Sequence, residues 1–288
     1  LSLAATHVAR AQSSNTKLGT NAGASITTGT DNTVVGSNAL RFTTTGTTNT
    51  AIGSQALRDN VKGSFNTAIG YNALVITNNS GNTAIGANAM TQNTTGGRNT
   101  ATGVSAMVWN STGSYNTANG RETLYLNTTG SNNSAFGYQA LHQNTTGSFN
   151  VAIGDGALYI TTGTGNIGIG EDGGFNLTSG NNNICIGNPG VAGEAGIIRI
   201  GTSGTHTDVY LAGVIHGNGS ALTGLWRING NAGTTSTNFL GTTDNQSLEI
   251  KVNNLRALRL EPNTNNASRS NMVNVIAGSP VNFAGPGV

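Results

Sequence analysis

Apolar and polar residues in this chain are arranged in a phrase that returns at a fixed step. In Asn66-Thr67-Ala68-Ile69-Gly70-Tyr71-Asn72-Ala73-Leu74, apolar pairs fall at Ala68-Ile69 and Ala73-Leu74, between Asn, Thr and Gly. The leading Asn recurs as Asn15, Asn32, Asn49, Asn66, Asn82, Asn99, Asn116, Asn133, Asn150, Asn166 and Asn183. The step is 17 residues, shortened to 16 after Asn66 and after Asn150. The closing Gly keeps the same step from Gly19 to Gly187, and a degenerate copy, Ile198-Arg199-Ile200-Gly201, follows. A second Gly stands three residues before most of the leading Asn residues, as in Asn93-Thr94-Thr95-Gly96 and Asn144-Thr145-Thr146-Gly147. The copy with Asn79-Ser80-Gly81-Asn82 departs from this and is one residue short.

A fixed period is the mark of a repeat architecture, and its length selects the unit. Helix pairs need roughly 33 residues or more, and a helix carrying Gly twice in every repeat is disfavoured. A single β-coil of two short strands and two turns fits. Stacked coils then pair in parallel about 4.8 Å apart. The expected fold is all-β: a parallel β-solenoid or β-roll of 16–17-residue coils. The first strand is Thr67-Ala68-Ile69-Gly70 and its copies. The second carries Ala39-Leu40, Ala56-Leu57, Ala73-Leu74, Ala89-Met90, Ala106-Met107, Ala140-Leu141 and Ala157-Leu158, with Leu and Met as core. The leading Asn is expected to form a ladder of side-chain amides along the stack; a simple turn-forming role is the alternative. Arg41, Arg58, Trp109, Tyr125 and Tyr159 follow the second strand and are expected to face solvent or a neighbour, with Trp109 a candidate binding aromatic.

Successive strand residues point to opposite faces. Ile52, Ile69, Ile85, Phe136, Ile153, Ile169 and Ile186 share one face of the first strand; Ala51, Ala68, Ala84, Ala101, Ala118, Ala135 and Ala152 share the other. Strands apolar on both faces are usually buried on both. One face fills the coil and the other is left as an apolar stripe that calls for a partner. This predicts a homo-oligomer, most simply a trimer about a central axis. Thr102 and Asn119 interrupt the Ile row in two neighbouring copies.

The phrase N-T-A-I-G-x-x-A-L resembles the head repeats of trimeric autotransporter adhesins, over about residues 15 to 201. The resemblance implies a left-handed parallel β-roll assembled as a trimer, with coils stacked along a fibre. Further on, Gly217-Asn218-Gly219-Ser220-Ala221-Leu222-Thr223-Gly224-Leu225 resembles the G-N-G-S-x-L-T-x-L segment of phage tail fibres and tail-fibre-like bacterial surface proteins. Leu248, Ile250 and Val252 then alternate ahead of Leu255, Leu258 and Leu260. Four stretches are expected. Residues 1–14 are a signal remnant, with Ala9-Arg10-Ala11 as an A-x-A cleavage site, or an N-terminal docking arm. Residues 15–205 form the solenoid, 206–270 a small β-rich connector, and 271–288 a C-terminal tail.

Composition narrows the function. Of 288 residues 43 are Gly, 8% are charged and the net charge is +2, which gives no electrostatic case for nucleic acid. No apolar run approaches the roughly 18 residues of a membrane span. The single cysteine, Cys185, excludes an intrachain disulfide and reads as a small core residue. No phosphate loop is present, and His7, His142, His206 and His216 are too scattered for a local metal cluster. Glu171-Asp172 is a candidate Ca²⁺ pair set against a charged turn. Asp155 and Glu171 are expected on adjacent coils, the best available paired-carboxylate site. His206-Thr207-Asp208 reads as a turn. The sequons at Asn93, Asn110, Asn127 and Asn144 fall on one loop row and are candidates for glycosylation. No residue is assigned a catalytic, cofactor-binding or metal-binding role, and no cofactor is expected.

The expected function is therefore non-enzymatic: a secreted structural or adhesive fibre subunit, trimeric or joined head to tail into an extracellular filament. Its partners are expected to be itself and a cell-surface or glycan receptor. Absence of a visible capping helix favours joining of the open ends. A phage-type tail fibre receptor-binding segment is the alternative. An ice-binding solenoid needs a regular Thr row on a flat face, and the Thr rows are expected near turns and irregular.

Overall fold

A computed structural model describes residues 14–208, 210, 248–252, 255–262 and 273–277. The chain divides into two units, Leu1–Tyr210 and Leu211–Val288. The first unit is a β-solenoid. Its twelve strands form one sheet in sequence order: β1 (Thr16–Leu18), β2 (Thr33–Val35), β3 (Thr50–Ile52), β4 (Thr67–Ile69), β5 (Thr83–Ile85), β6 (Thr100–Thr102), β7 (Thr117–Asn119), β8 (Ser134–Phe136), β9 (Val151–Ile153), β10 (Ile167–Ile169), β11 (Ile184–Ile186) and β12 (Ile198–Ile200). Every neighbouring pair is parallel, with like repeat positions opposite each other, as in Ala51↔Ala68 and Ile52↔Ile69. The register passes through both 16-residue steps without a shift.

One asparagine per coil accounts for this order. The backbone N–H of each leading Asn donates to the side-chain Oδ1 of the Asn one coil earlier. The chain of bonds runs from Asn15 to Asn183 at 2.8–3.0 Å. The Nδ2 of the same side chain donates to the Gly carbonyl that closes its own coil, as from Asn99 to Gly113 at 2.8 Å and from Asn116 to Gly130 at 2.8 Å. In the departing copy the Asn79 carbonyl takes the place of Gly, 2.9 Å from Asn66 Nδ2. Asn32 through Asn183 are buried, so each amide satisfies donors and acceptors that water cannot reach.

The second strand expected at Ala39-Leu40 and its copies does not form. These residues lie in turns, and Leu40, Leu57, Leu74, Met90, Met107, Leu124, Leu141 and Leu158 sit in left-handed backbone at φ 47–54°. The residue two positions earlier is left-handed as well, as at Asn38 and Gln55, so the chain coils where a strand would run straight. Left-handed backbone costs roughly 1–2 kcal/mol at such a residue. Each of these side chains is completely buried, which returns roughly 2–3 kcal/mol, and burial prevails. The coils remain bonded to one another here, as by Leu40 N–H to Ala56 O at 2.9 Å and Phe42 N–H to Arg58 O at 2.9 Å. The interior is a thin layer of the inward strand row (Val34, Ala51 and their successors), the Ala-Leu turn row and two Asn/Thr rows.

Both terminal coils carry a cation in the inward row. Lys17 stands opposite Val34 and donates to the Gly23 carbonyl at 2.9 Å. Arg199 stands opposite Cys185 and is held by Glu194 through contacts of 2.8–3.1 Å.

In the second unit, β13 (Leu248–Val252), β14 (Leu255–Pro262) and β15 (Val273–Ala277) form an antiparallel sheet with a bulge at Ile250/Lys251. Its third strand comes from the stretch read as a tail. Residues 1–13, the Gly217–Leu225 segment and residues 278–288 lie outside the described residues.

Two substitutions test this account. A Cβ on Gly103 would overlap the Gly120 carbonyl, and its φ of 136° already disfavours a side chain. Gly103→Ala is expected to cost about 3 kcal/mol or more, read from urea unfolding of the full chain. Asn99→Ala orphans the buried N–H of Asn116 and removes one of the two side-chain donors to the Gly113 carbonyl, leaving that of Asn110. It is expected to cost about 2–4 kcal/mol, against less than about 0.5 kcal/mol for a substitution at exposed Glu171.

Candidate functional site

The strands are three residues long, so the middle residue faces inward and the first and third face outward. The middle positions from Val34 to Ala152, and Cys185, are fully buried. The third positions leave the coil: Ile52, Ile69, Ile85, Phe136, Ile153 and Ile186 are 36–44% exposed. The first positions form a companion row, Thr16, Thr33, Thr50, Thr67, Thr83, Thr100, Thr117 and Ser134, continued by Val151, Ile167, Ile184 and Ile198. This Thr row is regular, in register and on the strand face, contrary to the expectation of irregular rows near turns. Thr opens the repeated phrase as a strand residue, and β-branched side chains suit that position.

The result is a flat face two rows wide. At about 4.8 Å per strand it runs for roughly 50 Å. No outward position in β1–β12 is charged. Tyr71 and Tyr138 flank it on the turn after the closing Gly and are largely exposed. The interruption at Thr102 and Asn119 falls on β6 and β7, the middle pair of the twelve. Neither side chain makes a hydrogen bond within the described residues.

The other candidates come apart. Asp155 and Glu171 do lie on adjacent coils, but both are exposed, as is Asp172, and among the described residues no group of three His, Cys, Asp or Glu is placed to hold a metal. His206 Nδ1 accepts the Thr202 N–H at 2.9 Å and the Asp208 carboxylate accepts the Thr207 hydroxyl, a local turn on the surface. Trp109 is 42% exposed and stands apart from the aromatic stack described below. His7 and His216 lie outside the described residues. Cys185 is buried, and burial pushes its thiol above the ordinary range.

The sequon asparagines are interior residues. Asn93, Asn110, Asn127 and Asn144 are fully buried. They form a second amide ladder, Asn110 to Asn93 at 2.6 Å, Asn127 to Asn110 at 2.6 Å and Asn144 to Asn127 at 3.0 Å, and each also donates to the Gly carbonyl three residues on. A glycan cannot be attached to these amides in the folded coil. Where the step shortens, Thr replaces Asn: Thr77 and Thr161 accept from the N–H two residues ahead, at 3.3 and 3.2 Å. Thr43 holds the same position in a full 17-residue coil.

Tyr125, His142, Tyr159 and Phe175 stack in order, with ring centroids 5.2, 5.0 and 5.3 Å apart. Their spacing of 17, 17 and 16 residues follows the repeat, the one signal by which the ladder is readable. Tyr125 and Tyr159, expected to face solvent or a neighbour, are half-buried and hold His142 between them. The rings shield one another's faces, so the stack braces the coil and offers no open ring face along its length.

Compared with protein-family models, with curated proteins and with solved structures, the chain finds no match. Among the described residues no helix is long and apolar enough to cross a membrane.

Burial within the stack lowers the His142 pKa, opposed by the nearby Glu122 carboxylate, and its Nδ1 is buried without a partner. The folded state therefore takes up this proton less readily than the unfolded chain. Its contribution is complete above about pH 6.5 and is lost as the pH falls below that. The melting temperature is expected to drop between about pH 7.5 and 5.5, and His142→Phe to flatten that drop. The lowered carboxylates of Asp31, Glu122 and Glu194 act in a separate, more acidic window.

Proposed function

We propose that this chain is a non-enzymatic subunit of a secreted structural or adhesive fibre, and that it assembles with copies of itself through the outward face of β1–β12. The observation that carries the reading is the uncharged double row on that face, its second row apolar in all strands but β6 and β7. Isolated exposed apolar side chains need no explanation, but a contiguous stripe of this length does. With a width of roughly 10–15 Å, the face offers about 500–750 Å² per chain, which a trimer shares between two neighbours. It has no charge with which to select a charged partner, whereas a second solenoid matches it rise for rise. A trimer about an axis parallel to the solenoid gives every face two such neighbours. A cell-surface or glycan receptor would then be met by the opposite, loop-bearing sides of the coils.

The two ends of the solenoid support side-by-side assembly over direct coil-on-coil joining. Inward-pointing charges blunt the edge of a sheet. Stacking one copy on the next would bury Lys17 against the Arg199–Glu194 ion pair inside a dry interior, a costly desolvation of charged groups. A head-to-tail filament would need its joints built by other parts of the chain.

Analytical ultracentrifugation of the full chain tests the reading. The expected species has three times the chain mass, and Ile69→Asp/Ile153→Asp is expected to reduce it to a monomer with the β circular dichroism intact. A monomeric native protein would defeat the proposal. If that monomer also showed thermal hysteresis, the regular Thr row would be assigned to ice.

A further inference from the structure

The outward face is not uniform, and its departures from uniformity carry directional information. A perfectly repetitive face would pair with a copy of itself equally well when displaced by any whole number of coils, or when reversed. Sheets without distinctive positions are prone to such slippage. From the placement of the departures we infer that the face encodes a parallel alignment with one allowed register. This inference rests on the self-association proposed above and specifies its geometry.

Direction is set by the first outward row. It carries hydroxyls from Thr16 to Ser134, in β1–β8, and aliphatic side chains from Val151 to Ile198, in β9–β12. A parallel neighbour lays hydroxyl against hydroxyl and aliphatic against aliphatic. An antiparallel neighbour turns the Thr end over the Ile end and presses Thr16 to Thr67 against Ile198 to Val151. The Thr hydroxyls then lose water without gaining a polar partner, which is the unfavourable outcome for a buried polar group.

Register is set by the second outward row. It is apolar throughout except at Thr102 and Asn119, whose side chains have no hydrogen-bond partner among the described residues. An amide both donates and accepts, so Asn119 is complementary to a second Asn119 at the same level, as Thr102 is to Thr102. A slip of one coil sets Thr102 of one chain against Ile85 and Asn119 of its neighbour against Phe136, leaving one polar group of each chain against hydrocarbon, and keeps only a mismatched Asn119–Thr102 pair. A lone buried Asn in an apolar seam fixes register in coiled coils by the same physics. The pair occupies the middle of the twelve strands, far from either end of the stack.

Disulfide trapping tests this on the full chain in a Cys185→Ala background, which removes the native thiol and puts Ala in a row that is mostly Ala. Ile69→Cys is expected to link to itself across chains. Mixed with Ile85→Cys chains, labelled by a different tag, it is expected to give no mixed link. Mixed with Ile153→Cys chains, which would meet it only in the antiparallel arrangement, it is again expected to give none. In the Thr102→Ile/Asn119→Ile variant the assembly should persist, while the mixed 69–85 link rises at least tenfold, toward the yield of the matched link. Mixed 69–153 links, or a 69–85 yield unchanged by removing the polar pair, would overturn the inference while leaving self-association standing. A monomer in solution with no 69–69 link would remove both.

Discussion

The fold depends on a buried amide that faces two ways. Each leading Asn offers its Oδ1 to the next coil and its Nδ2 to the end of its own coil. The first bond sets which residue of one coil lies over which residue of the next. The second fixes how many residues a coil holds, because the Gly carbonyl it reaches is 14 residues on in the 17-residue coils. A residue added elsewhere in the coil has to be absorbed by a loop, and the strand register stays where the amide puts it. The ladder continues through both shortened coils, where a second polar row carries Thr77 and Thr161. The sheet is therefore a consequence of side-chain hydrogen bonding as much as of backbone pairing, since three-residue strands contribute few ladder bonds each.

A coil of this length has almost no interior. Ala lies against Leu and Asn across it, and the closing glycines approach so closely that a methyl group has no room. The inward residue of each strand must be small, which leaves the bulk of the strand's hydrophobicity on the outside. Ile69 and its copies are thus expelled by geometry, and a thin solenoid of this composition presents an apolar face unless its outward positions are polar. Here one row is hydroxyl-bearing from Thr16 to Ser134 and aliphatic beyond, and the other is apolar except at Thr102 and Asn119. The interior fixes the shape of the face, and the residues on the face are free to differ without disturbing the coil. Thr102 and Asn119 are tolerated for that reason: their side chains contact nothing the fold requires.

The periodic part of this architecture was legible in the sequence. The step, the short strand and the Asn ladder follow from spacing alone, because a residue repeated once per coil can only stack on itself. The conformation of Ala-Leu was not legible. Leu and Met carry no sequence signal for left-handed backbone, and the pair was assigned to a strand by its apolar character. The interior, which gains more from burying Leu57 than the backbone loses at φ 52°, overrode local preference. The same limit applies to Asn93-Thr94-Thr95, where one tripeptide serves as a glycosylation signal in an exposed loop and as a buried amide rung in this coil. Burial distinguishes the two, and burial is a property of the stack. For the outward face, the residues were identifiable but the side on which Ala or Ile would lie was not, because both are apolar.

The ends and the face of the solenoid obey opposite rules. A stacked sheet is open at both ends, and an uncapped end invites another chain. Lys17 and Arg199 occupy the one row that must be small and apolar for stacking to continue. At the C-terminal end the Asn ladder also stops, since Ile197 takes the last bond from Asn183 Oδ1 at 3.0 Å and offers no side-chain acceptor in return. Growth along the axis is thus opposed twice, by charge and by loss of the amide. Along the side no such device exists: over roughly 50 Å of sheet the outward strand positions carry no charge, proline or bulge to discourage contact. This contrast between ends and flank supports the side-by-side assembly proposed above.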